Sequence, residues 1–325
     1  MDINYKILWF EDTDESFETL SRRTERYVNS RNLRCKIDRV WGESDFDLAS
    51  LDLNSYDILV VDLRLSEGSK GFEIIKEIRN GSFVNDVLFY SGEGIDALDS
   101  IMREHRLEGV FISDRNNKAF LPKIKQLIDK SIRRSENVIS IRGVVMDATS
   151  EFDTQMQEIT AAACPLLTAD ETARLKNYIT ENLLASKVSD TTAMANKYPQ
   201  DGEWDILEVL SENDFNSMMR AKLLNYIFNL KSNHKIQSAI SCCKDSLPQA
   251  FSKTKSIFVS AYDNEILKFR NKLAHVKNLN ATTPVFIGKI NGVDYYCDES
   301  FCSSIRASLI RYNDWFSFLY DRITE

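Results

Sequence analysis

No apolar run in this chain reaches the roughly 18 residues that a membrane helix needs, so a membrane-spanning protein is not expected. The first ten residues, MDINYKILWF, carry an acid at the second position and no cleavage-like site, so no secretory leader is expected either. Cysteine is sparse and unpatterned. Cys35, Cys164, Cys242, Cys243, Cys297 and Cys302 show no metal-ligand rhythm, which fits free thiols in a cytoplasmic protein. Excess positive charge is also missing: the net charge is −8, which argues against a protein that binds polyanions over its whole surface. There is no internal repeat, no low-complexity tract and no helix-turn-helix with a basic recognition helix, so a DNA-binding regulator is the weakest of the readings considered. Glycine runs out early. Seven of the 11 glycines precede residue 110, and only Gly143, Gly202, Gly288 and Gly292 follow. A chain that turns often needs glycine, and long helices do without it.

What is present fits two textures within 325 residues, a length that supports two separate cores. Up to about residue 130, strand-like runs (KILWF, CKIDRVW, YDILVVDLRL, DVLFYS, GVFIS) alternate with amphipathic helices. The third run is apolar nearly throughout, as a strand buried on both faces should be. This alternation predicts an α/β domain built on a doubly wound five-stranded parallel sheet over 1–130. Its closing helix, KAFLPKIKQLIDKSIRR, should carry Pro122 in the first turn.

From 131 onward the pattern is all-α. Ile141, Val145, Ala148, Phe152, Met156 and Ile159 form one stripe of a long helix, suited either to a core or to a dimer seam. Thr168 and Glu171 form a capping-box pair. Residues 131–204 are expected as a helical connector, and 205–325 as a helical bundle with a small β-hairpin turned at Asn291-Gly292.

Ligands of an open α/β sheet sit at the carboxyl ends of the strands. Glu11 and Asp12 follow the first strand and Asp62 ends the third, so three carboxylates should converge and call for a hard divalent cation such as Mg²⁺. Ser91 ends the fourth strand beside them. With ILWFEDTDE, YDILVVDLRL, VLFYSGEG and GVFIS, residues 1–130 resemble the receiver domain of two-component response regulators. The resemblance implies Asp62 as phosphoryl acceptor from a histidine kinase, Glu11, Asp12 and Asp62 around Mg²⁺, and Ser91 as the switch hydroxyl. Two positions depart from that pattern. Ser113 stands where the family has a lysine, and Val110 where it has an aromatic switch residue. Arg64 or Arg115 is the cation expected to replace the lysine. Both a phosphorylated and a phosphorylation-independent platform stay open.

The second half holds NEILKFRNKLAHVK, with Arg270, Asn271 and His275 on one helix. A histidine titrates near neutrality and can move a proton at a ribose oxygen. An arginine fork can stabilise charge on a reacting phosphate. Residues 221–290 also carry 11 Lys/Arg against three acids, 11 − 3 = +8, a local excess suited to an RNA backbone. The layout resembles the HEPN superfamily, whose nuclease members carry R-x4–6-H, often RNxxxH. That implies a metal-independent endoribonuclease site at Arg270, Asn271 and His275, completed across a homodimer, with no cofactor of its own, in stress or phage defence. Two other readings stand beside it. One is a receiver–HEPN adaptor without chemistry that dimerises and binds a protein or nucleic-acid partner. In the other, Arg270 pairs on the helix surface with Glu265 or Asp263, and His275 merely suits the helix C-terminus.

Overall fold

The computed structural model describes residues 3–41, 52–65, 71–80, 83–184, 196–199, 202–230, 233–242, 258–276 and 284–325. The chain forms two compact units, Met1–Asn137 and Val138–Glu325.

In the first unit the strands are β1 (Asn4–Phe10), β2 (Arg34–Val40), β3 (Ile58–Asp62), β4 (Asp86–Ser91) and β5 (Val110–Asp114). They make one sheet in the order β2-β1-β3-β4-β5, parallel throughout. The described helices are α1 (Asp14–Ser30), α2 (Gly71–Asn80), α3 (Ile95–His105) and α4 (Asn117–Ser135). Strand periodicity sorts the side chains onto two faces. Leu8, Phe10, Leu59, Val61, Val87 and Phe89 pack with Ile75 and Ile78 of α2 and Leu98 of α3. The alternate set, Ile7, Trp9, Ile58, Val60, Leu88 and Tyr90, packs with α1 and with Phe120, Ile124 and Ile128 of α4. Covered on both faces, the central strands read as continuous apolar runs, the signal by which sequence anticipates them. Pro122 departs from expectation: the side chain of Asn116 caps α4, which puts the proline in the second turn.

The second unit is helical with a two-stranded sheet. Its elements are α5 (Val138–Ala163), α6 (Ala169–Tyr178) continued by a π-helical run (Ile179–Leu184), α7 (Ile206–Ser211), α8 (Ser217–Phe228), α9 (His234–Cys242), α10 (Phe258–Tyr262), a π turn (Asp263–Leu267), α11 (Lys268–Ala274), strands β6 (Val285–Ile290) and β7 (Val293–Cys297), and α12 (Glu299–Thr324). The capping box of Thr168 and Glu171 opens α6. Asn291 and Gly292, at φ of 51° and 85°, turn the β6–β7 hairpin.

Two features mark the described part of residues 131–204. First, the break falls after Asn137, and α5 belongs to the second unit, where it packs on α8 and α12. Second, the α5 stripe is not a free dimer seam. Ile141, Val145, Phe152, Met156 and Ile159 are all buried within the chain itself. Phe152 meets Tyr262, Tyr312 and Phe316 in an aromatic core that Phe258 and Trp315 extend. A heptad-like spacing and a core face look alike in sequence, and here the core uses it.

Candidate functional site

The order β2-β1-β3 places the topological switch point between β1 and β3, and the crevice there opens at the carboxyl ends of the strands. Phe10 pairs with Val61, so Glu11 and Asp62 emerge side by side. Glu11, Asp12 and Asp62 bring carboxylate oxygens within 4.8 Å of one another. Glu11 and Asp62 are buried; Asp12 is half-buried.

Each carboxylate is held differently. One Glu11 oxygen accepts the Thr13 backbone N–H at 2.9 Å, and the other accepts the Tyr90 hydroxyl at 2.6 Å. The Glu11 carbonyl accepts from Arg39 Nε at 2.8 Å, which fixes the chain as it leaves β1. Asp62 Oδ2 forms an ion pair with Arg115, while Oδ1 is buried and, among the described residues, has no hydrogen-bond partner. Burial, then the neighbouring Glu11 charge, raise the Asp62 carboxyl to about 7 against the opposing pull of Arg115. The donor set fits a hard divalent cation: three carboxylates in one crevice, one with an orphaned buried oxygen.

The two candidate cations separate here. Arg64 pairs with Glu93 and is largely exposed. Arg115 pairs with Asp62, because its backbone N–H extends the ladder past β5 to the Ser91 carbonyl at 2.8 Å. Ser113 bonds its neighbour, donating to the Asp114 carbonyl at 3.0 Å. The Ser91 hydroxyl accepts the Glu93 N–H at 3.0 Å. A cleft of about 660 Å³ lined by Thr13, Ser16, Gly92, Asp114 and Arg115 opens beside the guanidinium. Sequence alone does not single out Tyr90, because a tyrosine in DVLFYS reads as one more core residue.

The second set of residues is not brought together in the same way. Arg270 is half-buried, and its Nη1 donates to the Ser217 hydroxyl at 3.2 Å; that hydroxyl donates to Asp153 Oδ2 at 2.7 Å. Burial raises the Asp153 carboxyl, and Arg220 and Arg270 pull it back. Glu265 pairs instead with Arg311, and Asp263 with Lys268, so neither holds Arg270 as a surface partner. Asn271 is exposed, and His275 is exposed at the C-terminal cap of α11. The π turn lies directly before α11, and such turns often mark functional positions. Much of the basic window, 243–257 and 277–283, lies outside the described residues. Arg270→Ala removes one of two guanidinium groups facing Asp153, and the second unit should lose about 1–2 kcal/mol in denaturant unfolding. An Arg270 reserved for chemistry would leave the unfolding curve in place.

No family model and no curated protein matches the chain. Solved structures resemble its N-terminal part. The non-phosphorylated HemR receiver domain from Leptospira biflexa matches at 23% identity and a TM-score of 0.31, over 40% of this chain and 94% of that one. A signal receiver domain of a Luxo repressor protein from Vibrio parahaemolyticus matches at 15% identity and a TM-score of 0.31, over 40% of this chain and 92% of that one. Among the described residues no helix is long and apolar enough to cross a membrane.

Proposed function

We propose that the first unit is a signal receiver whose Glu11–Asp12–Asp62 crevice takes Mg²⁺ and a phosphoryl group on Asp62, and that it controls the helical second unit as its output. The convergence of three carboxylates with one arginine at the switch point carries this reading. Asp62 supplies the accepting oxygen, which must be ionised to attack phosphorus. Bound Mg²⁺ would offset charge on the phosphoryl oxygens. Arg115 stands where a cation is needed and Ser113 supplies none, so Arg115 takes the part of the family lysine. Ser91 offers a hydroxyl at the end of the neighbouring strand. A histidine kinase or a small phosphodonor is the partner this chemistry requires. Beryllofluoride, a phosphoryl mimic, tests it: it should bind with Mg²⁺ to the wild type and not to Asp62→Asn. Equal binding by both would remove the acceptor role.

For the output we favour a dimerising module that binds a protein or nucleic-acid partner without chemistry, because Arg270 is engaged with Ser217 beside Asp153. The exposure of His275 supports a second reading, a HEPN-type endoribonuclease completed across a homodimer, with Asn271 orienting the histidine or holding RNA. The two readings part in one assay. A mixed RNA pool is incubated with the wild type and with His275→Ala, in EDTA and again with Mg²⁺ and beryllofluoride. The binding-module reading expects intact RNA in every arm. Cleavage by the wild type alone, leaving 2′,3′-cyclic phosphate ends, would establish the ribonuclease.

A further inference from the structure

Behind the carboxylate crevice lies a chain of buried polar contacts inside an otherwise apolar face. The indole N–H of Trp9 donates to the Tyr90 hydroxyl oxygen at 2.9 Å, and that hydroxyl donates to Glu11 Oε2 at 2.6 Å. Trp9, Tyr90 and Glu11 each have a relative exposure of 0%. The two rings come from β1 and β4, on either side of β3, so the chain bridges across the strand that carries Asp62. The Trp9 ring then stacks on Phe120 of α4, with centroids 5.6 Å apart, and meets Phe17 of α1 edge-on at 5.7 Å. Tyr90 packs on the same Phe120 at 5.1 Å.

Among the described residues, the other partners of Glu11 are backbone groups or a side chain on its carbonyl. The Tyr90 hydroxyl is the side-chain contact that orients the buried Glu11 oxygen. A carboxylate that turns to meet a cation must lengthen or redirect that bond. The tyrosine oxygen, in turn, is the acceptor on which the indole depends. In a close-packed interior such a shift is passed to the rings beside it.

We infer that Tyr90 is a positioning residue for Glu11 and that its hydroxyl couples the Trp9 indole, and with it the packing of α1 and α4, to what the crevice holds. The inference rests on the reading that the crevice binds a divalent cation. It adds a route from that cation to one helical face of the sheet. Removing a group that orients a metal ligand costs about 10–100-fold in affinity, and Tyr90→Phe is expected at the lower end, about tenfold.

The test uses the full chain, with Mg²⁺ as the probe and two independent readouts. Calorimetry gives affinity, and proton–nitrogen spectra resolve the indole N–H signals of the four tryptophans. The signal missing in Trp9→Phe identifies Trp9. In the wild type that signal should move as Mg²⁺ binds. In Tyr90→Phe it should start from a new position, because its acceptor is gone, and cease to respond, while affinity falls about tenfold. A Tyr90→Phe affinity within twofold of the wild type overturns the positioning role. Measurable Mg²⁺ binding with a motionless Trp9 signal in the wild type overturns the coupling, and this arm needs no folded variant. No heat of binding in the wild type removes the crevice reading itself, and this inference with it.

Discussion

Gly71→Ala is expected to destabilise the first unit by about 3 kcal/mol or more. A Cβ on Gly71 would collide with the Asp62 carbonyl oxygen and lie 2.9 Å from Val61 Cγ1. The first of these is backbone at the end of a central strand and has little room to yield. Nor can α2 move away easily, since the Gly71 N–H donates to the Leu63 carbonyl at 3.0 Å and the next turns are buried at Ile74, Ile75 and Ile78. The strain therefore falls on Asp62, and the same variant should lose Mg²⁺ binding. Gly143→Ala is the control. The glycine sits in α5 with no described residue outside its own helix turn within 4 Å of an added Cβ, and Gly143→Ala should stabilise by about 0.5–1 kcal/mol. Denaturant unfolding of both variants checks the pair. A Gly71→Ala protein as stable as the wild type would mean that α2 does not approach β3 this closely.

The second large effect is a dependence of stability on pH and on divalent cation. Asp62 titrates in the folded chain at about 7, raised from 3.8 by burial and by Glu11. Between those values the folded state holds more protons than the unfolded one, so stability falls as pH rises. Without divalent cation the wild type should lose stability from pH 5 to pH 8. Asp62→Asn, with nothing to ionise there, should lose less, keeping only the slope from other raised carboxyls such as Asp153, and exceed the wild type at pH 8 by on the order of 2 kcal/mol. Added Mg²⁺ should recover the wild type at pH 8 and leave Asp62→Asn unchanged, since a ligand stabilises only the state that binds it. Melting curves at the two pH values, with and without Mg²⁺, decide the matter. A wild type that gains stability toward pH 8 without cation would show that Asp62 is ionised at no cost and that the crevice has no charge to offset.

Much of this architecture is legible in the sequence because local chemistry decides it. The run ILVVD can be buried on both faces only in the middle of a sheet, and Asn291-Gly292 supplies the positive φ that a tight hairpin demands. The convergence of Glu11, Asp12 and Asp62 follows from strand polarity alone. What sequence leaves open depends on direction and on distant partners. Arg64 and Arg115 are equal candidates until the ladder beyond β5 carries Arg115 to Asp62 and Arg64 turns to Glu93. The stripe on α5 fits a seam and a core equally well until the aromatic side chains of α10 and α12 close over it. Tyr90 hides in an apolar run because its role depends on a hydroxyl that meets Glu11, 79 residues away. Arg270 reads as half of a catalytic pair, because Ser217 and Asp153, which engage it, lie on two other helices.

Calorimetric titration of Mg²⁺ into the full chain at pH 8, beside Asp62→Asn and Glu11→Gln, is the most direct test of whether the crevice at the carboxyl edge of the sheet acts as the proposed cation-dependent receiver site. The wild type should bind, and each variant should lose at least about tenfold. Equal affinity in all three proteins, or no binding by the wild type, would contradict that reading.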